Sequence, residues 1–266
     1  VVLNNSLQKI IFLFKKLMKV LVTGASRGIG LEMAIELLSN GYEVILHCNK
    51  NKNLIQKKIS SQNKKASIFS SDISTLNGVK KLIEFSSDKF GYPDVIVNNA
   101  GIAESSYVDL DLETWSKMYD KTMHINLKAP ALICKEFIKI KRLKKIKNKL
   151  RIINISSRAA FRGEVEDFIS YACSKGGLVS LTKTIAKSFG LKEKVLAFTI
   201  APGFVNTEMA QDFIKEHGEG LAKKGIVLSR LTEPKDIAPL VSFIASGKMD
   251  HSTGSTIDVN AGSYMR

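Results

Sequence analysis

The chain has 266 residues, 44% of them hydrophobic, a formal net charge of +15 at pH 7 and a mean hydropathy near zero. That is apolar material enough for one sizeable core, while no run approaches the about 20 consecutive apolar residues of a transmembrane helix. Three cysteines and four histidines lie at spacings that match neither a disulfide framework nor a metal-ligand set, so no metal is expected.

Residues 1–17 hold Ile10-Ile11-Phe12-Leu13-Phe14 between lysines, too short an apolar stretch for a signal peptide and without a small-residue cleavage site. They read as an extension outside the fold, either non-essential or translated from a start placed too early, with a peripheral membrane helix as the outside reading. The domain proper is expected over 18–266, with no Pro- or Gly-rich linker to divide it.

Met18 to Val22 is a short apolar run suited to a buried parallel strand. Thr23-Gly24-Ala25-Ser26-Arg27-Gly28-Ile29-Gly30 follows, and Leu31 to Leu38 then has helical periodicity that stops near Asn40-Gly41. Strand, glycine turn and helix N-terminus together present free backbone N–H groups and a positive dipole end to a pyrophosphate. An ordinary tight βα turn uses glycine as well, and the spacing here is Gly-x-x-x-Gly-x-Gly.

The second strand, Glu43 to Cys48, runs into Asn49-Lys50-Asn51-Lys52 with no carboxylate after Glu43. An NAD site places an acid near this point for the ribose 2′-hydroxyl. Arg27 in the loop and Lys50 after the strand instead fit a 2′-phosphate, which favours NADP; the alternative is a solvated basic loop. Ala66 to Ser70 reads as the next strand, followed by Asp72 and Ile73, and Asp94 to Val97 as another, followed by Asn98-Asn99-Ala100-Gly101. Asn126 lies in His124-Ile125-Asn126-Leu127, and Ser157 ends the apolar strand Ile153-Asn154-Ile155-Ser156-Ser157. Ligands of open α/β sheets bind at such strand ends.

Tyr171-Ala172-Cys173-Ser174-Lys175 places a phenol and an ammonium four residues apart on one helix face. At ~4 Å and an effective dielectric of ~20, the ammonium favours the phenolate by up to ~4 kcal/mol, which would bring the tyrosine toward neutral pH. Val195 to Ile200 is a further strand, followed by Pro202-Gly203-Phe204-Val205-Asn206-Thr207. Glu208 to Leu231 is long, charged and rich in glycine, and reads as a loop. Cys48, Cys134 and Cys173 read as buried small hydrophobes. The alternation of apolar runs and amphipathic stretches predicts a single-domain doubly wound Rossmann fold of the α/β class, a parallel sheet with helices on both faces.

These pieces, in this order, resemble the short-chain dehydrogenase/reductase family over Met18 to Arg266. Within it the chain is most similar to the 3-oxoacyl-acyl-carrier-protein reductases, chiefly on Thr253 to Met265. The resemblance implies an NADP-dependent oxidoreductase interconverting C=O and CH–OH. Ser157 would bind the substrate carbonyl, Tyr171 would donate the proton, Lys175 would lower its pKa and hold the nicotinamide ribose, and Asn126 would anchor a water leading to solvent. The cofactor set it implies is Gly24, Ser26, Arg27, Gly28, Ile29, Gly30, Asn49, Lys50, Asp72, Ile73, Asn98, Ala100, Gly101, Tyr171, Lys175, Pro202, Gly203, Val205 and Thr207. Asp72 would take the adenine amino group, unless it is a plain helix cap. Pro202 to Thr207 would fix the nicotinamide carboxamide, and the loop from Glu208 to Leu231 would be a mobile lid over the substrate.

The resemblance further implies a homotetramer in the cytoplasm acting on a 3-oxoacyl group carried by acyl carrier protein, with no membrane or nucleic-acid partner. A sugar, polyol or other small-alcohol dehydrogenase is the alternative, and an NADP-sensing protein without turnover a third. The basic run Lys135 to Arg151 could steer an acidic carrier protein or be a solvated face; it lacks the interleaved aromatics of a nucleic-acid surface. Two departures bear on the substrate. Ser157 to Tyr171 is about one residue longer than is usual in the carrier-protein reductases and carries Glu164, Glu166 and Asp167. The segment before Asn126 also holds an extra residue.

Overall fold

The computed structural model describes residues 17–59 and 63–266, so the expected N-terminal extension, Leu17 aside, lies outside the described residues. The strands are β1 (Lys19–Val22), β2 (Glu43–Cys48), β3 (Ala66–Ser70), β4 (Val95–Asn98), β5 (Leu150–Ile155), β6 (Val195–Pro202) and β7 (Thr256–Val259). They form one sheet in the order β3-β2-β1-β4-β5-β6-β7, and every pairing in it is parallel. Val20 of β1 stands opposite Val44 on one side and Val95 on the other, so the strand order reverses at β1. That reversal opens the crevice in which this architecture binds its ligands.

The helices are α1 (Gly28–Ser39), α2 (Lys52–Lys58), α3 (Leu76–Phe90), α4 (Leu112–Met123), α5 (Ala129–Leu143), α6 (Ala159–Arg162), α7 (Ile169–Glu193), α8 (Glu208–His217), α9 (Glu219–Ala222) and α10 (Pro234–Ala245). Strands buried on both faces need apolar residues at every position, and β5 and β6 have them almost throughout. Val20 and Val22 face one layer with Met33 and Leu37 of α1 and Val241 and Ile244 of α10. Leu21 and Ile96 face the other, with Leu82 of α3, Phe137 of α5 and Ile185 of α7. The single-domain doubly wound arrangement is the one the sequence predicts.

Three sequence expectations change here. The segment read as a covering loop is largely helical: the Thr207 hydroxyl accepts from the N–H of Ala210 and starts α8, and α9 follows. The basic run is also not one exposed patch. Lys141 is buried, donating to the carbonyls of Ile146 and Asn148, and Arg151 is buried against Asp250 at 2.7 Å. Arg142 pairs with Glu193, and Lys135 and Lys139 with Glu136. Cys48 and Cys134 are buried as expected, whereas Cys173 is exposed on α7.

His47 is buried near the end of β2 with Nε2 2.9 Å from the carbonyl of Ser71, and burial lowers its pKa to about 4. Between pH 6.5 and 4 the unfolded chain takes a proton that the folded chain refuses, so stability falls with acid across that window. At ~1.36 kcal/mol per pH unit the loss is about 3 kcal/mol. Denaturant titrations from pH 7 to pH 4 are expected to show His47→Asn losing less stability than the wild type by about that amount; parallel curves would contradict the assignment.

Candidate active site

The C-terminal ends of β1, β4, β5 and β6 bring the predicted residues together. Ser157 follows β5, and Tyr171 and Lys175 lie on α7, which packs along β5 and β6. Lys175 is buried and its Nζ donates to the carbonyl of Ile155 at 2.9 Å, while the Ser156 hydroxyl donates to the carbonyl of Lys175 at 2.8 Å. Ser156 is thereby occupied in holding α7 to β5. Ser157 is the serine left facing the site, where its hydroxyl lies close enough to the Tyr171 phenol to act on it and its oxygen accepts from the N–H of Ala159.

The electrostatics differ from the sequence expectation. The ammonium of Lys175 lies 5.6 Å from the centre of the Tyr171 ring, yet the phenol is held above its ordinary pKa. Burial is the largest cause, the hydrogen bond from Ser157 opposes it, and the carboxylate of Glu164 adds to it. Lys175 itself is lowered by burial to about 8. Residue spacing supplies the attraction between the two groups but not the desolvation, and desolvation disfavours both charged forms. Tyr171 therefore stands as a protonated phenol at neutral pH, the form a proton donor needs.

Asn126 sits within a π-helical turn, His124–Lys128, between α4 and α5. Its amide is fully engaged: Oδ1 accepts from the N–H of Ile102, and Nδ2 donates to the Ile102 carbonyl and the Ser174 hydroxyl. A Cβ on Gly101 would lie 3.2 Å from Asn126 Oδ1 and 3.4 Å from Lys175 Nζ, so these three positions are neighbours.

The glycine loop fits a dinucleotide phosphate. No side chain caps α1 and no acid lies in its first turn, so its leading N–H groups are open to an anion. A Cβ on Gly30 would lie 2.2 Å from the Gly24 carbonyl oxygen, and one on Gly24 2.7 Å from the Ala100 Cα, so the loop can fold this tightly only with glycine. Gly24 and Gly28 also have positive φ, 67° and 54°. Ser26 and Ile29 complete the turn, half-buried beside them. Arg27 reaches Glu208 of α8 at 2.6 Å, and Gly28 lies beside Thr207, so this loop and the start of α8 close on each other.

The remaining cofactor positions divide. Asn49 and Lys50 are exposed at the end of β2, with Lys50 close enough to lower the Asp72 pKa. One Asp72 carboxylate oxygen accepts from the N–H of Ser74 and its carbonyl from the Thr75 hydroxyl; Thr75, not Asp72, caps α3, so the helix-cap reading of Asp72 is corrected to a turn residue just before the cap. Ile73 is buried in the core and offers only backbone. Asn98 is buried as well, and its side chain donates to Asn154 and Cys134 across the sheet, so that side chain is a clamp rather than a nucleotide ligand. Gly203 donates from its N–H to Val259, Pro202 accepts from Arg158, and Val205 bridges to Thr232. The Thr207 hydroxyl caps α8.

One contributor escaped the sequence reading. Asn99 donates to the carbonyls of Thr23 and Gly24, and the Thr23 hydroxyl accepts from the N–H groups of Asn99 and Ala100. This exchange ties the end of β4 to the glycine loop; the doubled asparagine was the available signal. Among the described residues no cluster of three or more His, Cys, Asp or Glu could hold a metal ion, and no helix is long and apolar enough to cross a membrane.

Comparison with known proteins agrees with this geometry. Residues 18–218 match the family model described as short chain dehydrogenase. A 3-oxoacyl-[acyl-carrier-protein] reductase FabG of Staphylococcus epidermidis is 30% identical over 248 residues, covering 92% of this chain and 98% of its own. A short-chain dehydrogenase/reductase FrzI of Cladobotryum sp is 31% identical over 252 residues, covering 91% and 94%. Among solved structures, 4-hydroxyisoleucine dehydrogenase complexed with NADH superposes with a TM-score of 0.81 at 27% identity, over 92% of this chain and 98% of that one. The 3-ketoacyl-(acyl-carrier-protein) reductase of Brucella melitensis complexed with NADH gives 0.80 at 25% identity, over 93% and 98%.

Gly30→Ala tests the loop. The added methyl group meets backbone, so the loop and α1 must separate. The variant is expected to bind NADPH and NADH at least about tenfold more weakly and to lose about 1–3 kcal/mol of stability. Fluorescence titration and denaturant melts measure the two; wild-type affinity in the variant would contradict the fit.

Proposed function

The chain belongs to the short chain dehydrogenase family, and we propose that it reduces a ketone to a secondary alcohol with NADPH. The observation that carries the reading is the packing of Ser157, a protonated Tyr171 and Lys175 at the end of β5, beside a glycine loop built for a dinucleotide phosphate. Arg27, Lys50 and the absence of an acid after Glu43 support NADPH over NADH. Arg27 would turn from Glu208 to a 2′-phosphate, while the solved relatives named above carry NADH.

When bound, the reduced nicotinamide supplies the hydride. Ser157 would hold the substrate carbonyl by its hydroxyl, and Tyr171, within hydrogen-bond reach of Ser157, would deliver a proton to the same oxygen. Charge developing on that oxygen is stabilised by both hydroxyls. Lys175, charged below about pH 8, stabilises the phenolate left behind. Asn126 positions the backbone of Ile102 and the hydroxyl of Ser174, and through them the helix that carries Tyr171.

The FabG relatives support a 3-oxoacyl group on acyl carrier protein as the substrate. A second reading, a small polar ketone or alcohol, is supported by the polar segment between Ser157 and Tyr171, whose Glu164 pairs with Arg162 and acts on the Tyr171 phenol. Assembly as a homotetramer and residence in the cytoplasm belong to the same proposal.

Oxidation of NADPH by acetoacetyl-CoA tests it. Turnover is expected to fall about 10²–10⁴-fold in Tyr171→Phe with NADPH still bound, and Arg27→Ala is expected to weaken NADPH about tenfold while sparing NADH. Undiminished turnover in Tyr171→Phe would contradict the mechanism, and equal losses for both nucleotides would contradict the NADPH assignment.

A further inference from the structure

We infer that Arg158 is an anion-binding residue of the substrate site, so that the ketone reduced belongs to an oxo acid whose carboxylate this guanidinium receives. The inference rests on the reductase reading above and names its substrate class.

Arg158 follows Ser157 directly, and its backbone is fixed between the loops that bound the site. Its N–H donates to the Pro202 carbonyl at 3.0 Å, and its carbonyl accepts from Phe161 and Arg162. The side chain is half-buried. Every other arginine of the chain holds a carboxylate: Arg27 with Glu208, Arg142 with Glu193, Arg151 with Asp250, Arg162 with Glu164, Arg230 with Asp236 and Arg266 with Asp258. Arg158 alone has no ion pair or side-chain hydrogen bond among the described residues. Its guanidinium nitrogens are not sealed from solvent, so the five donors stand free for an incoming anion, and the half-burial of the side chain strengthens the pairing with one.

The neighbouring charges do not supply it. Those acting on Arg158 are Arg162 and Glu164, and they are bonded to each other at 2.7 Å, which leaves the charge of Arg158 uncancelled. Burial and the like charge of Arg162 both oppose its ionisation, yet a guanidinium has no neutral form to retreat to near pH 7. Glu164 also acts on the Tyr171 phenol, so proton donor and guanidinium surround one carboxylate side chain at the same mouth. Glu164, the acid of this segment that acts on Arg158, is itself engaged by Arg162. A planar carboxylate accepts two parallel bonds from a guanidinium, which fixes the rest of the molecule relative to Ser157. An acyl thioester carries no such charge beside its ketone, so this assignment favours the small polar substrate.

Two measurements test it. Reduction of acetoacetate is compared with that of its methyl ester, using NADPH and NADH in turn. The wild type is expected to prefer the acid by about 30-fold in kcat/KM, with the ratio falling to near one in Arg158→Gln and lying between in Arg158→Lys. Calorimetric titration of glutarate, which has no ketone, into nucleotide-loaded protein is expected to show binding that Arg158→Gln abolishes. Glutarate binding lost in that variant supports the inference even if neither ketone turns over, a result that would instead overturn the reductase reading. Equal reduction of acid and ester, with glutarate unbound or bound equally by Arg158→Gln, overturns the inference and leaves the reductase reading standing. A folding defect in Arg158→Gln is separated by its melting curve, and Arg158→Lys then carries both measurements.

Discussion

The site depends on the bond from the buried ammonium of Lys175 to the carbonyl of Ile155. A charged amine taken out of water must find an acceptor, and here the acceptor is the last carbonyl of a central strand. That fixes where α7 lies along β5, and the return bond from Ser156 to the carbonyl of Lys175 fixes the same contact from the other side. Tyr171, one helical turn earlier, is then set against Ser157. With one carbonyl as its recorded hydrogen-bond partner, Lys175 is depressed to about 8 by burial, so the anchor is also the most easily deprotonated part of the site.

A second set of bonds brings the glycine loop to this anchor. Thr23 and Asn99 exchange hydrogen bonds between β1 and β4, where the strand order reverses, and Gly30 closes onto Gly24 with no room for a side chain. Asn126, held in its π-helical turn, fixes Ile102 just beyond Gly101. The crevice is thus walled by backbone whose positions are set by side chains pointing away from it. Asn98, Asn99, Asn126 and Ser156 act in this way, and each is a polar residue whose buried groups are answered by backbone or by a neighbouring strand or helix.

Much of this was legible in the sequence because parallel strands announce themselves as short apolar runs and a cluster of glycines marks a turn that cannot tolerate a Cβ. Ser157, Tyr171 and Lys175 could be placed on a strand end and a helix face by spacing alone. What spacing cannot carry is burial: it gave the attraction between Lys175 and Tyr171 but not the desolvation that reverses the shift on the phenol. Nor could composition separate the interior cations Lys141 and Arg151 from the exposed lysines around them, since that depends on which carbonyls and carboxylates the fold brings near. That the helix around Asn126 would adopt a π turn was not visible in the sequence. Arg158 is of the same kind, because lacking a partner is a property of the folded neighbourhood.

The central claim is that Tyr171 is a neutral phenol in the free protein, poised to donate rather than accept. Carbon-13 NMR of protein labelled at the tyrosine ζ carbon, with Tyr171→Phe to assign the resonance, follows that proton directly. The account predicts that the Tyr171 signal keeps its phenol position from pH 6 through its ordinary titration near ~10. A shift to the phenolate position at or below about pH 8 would contradict it, and would mean that the charge of Lys175 outweighs the burial of the pair.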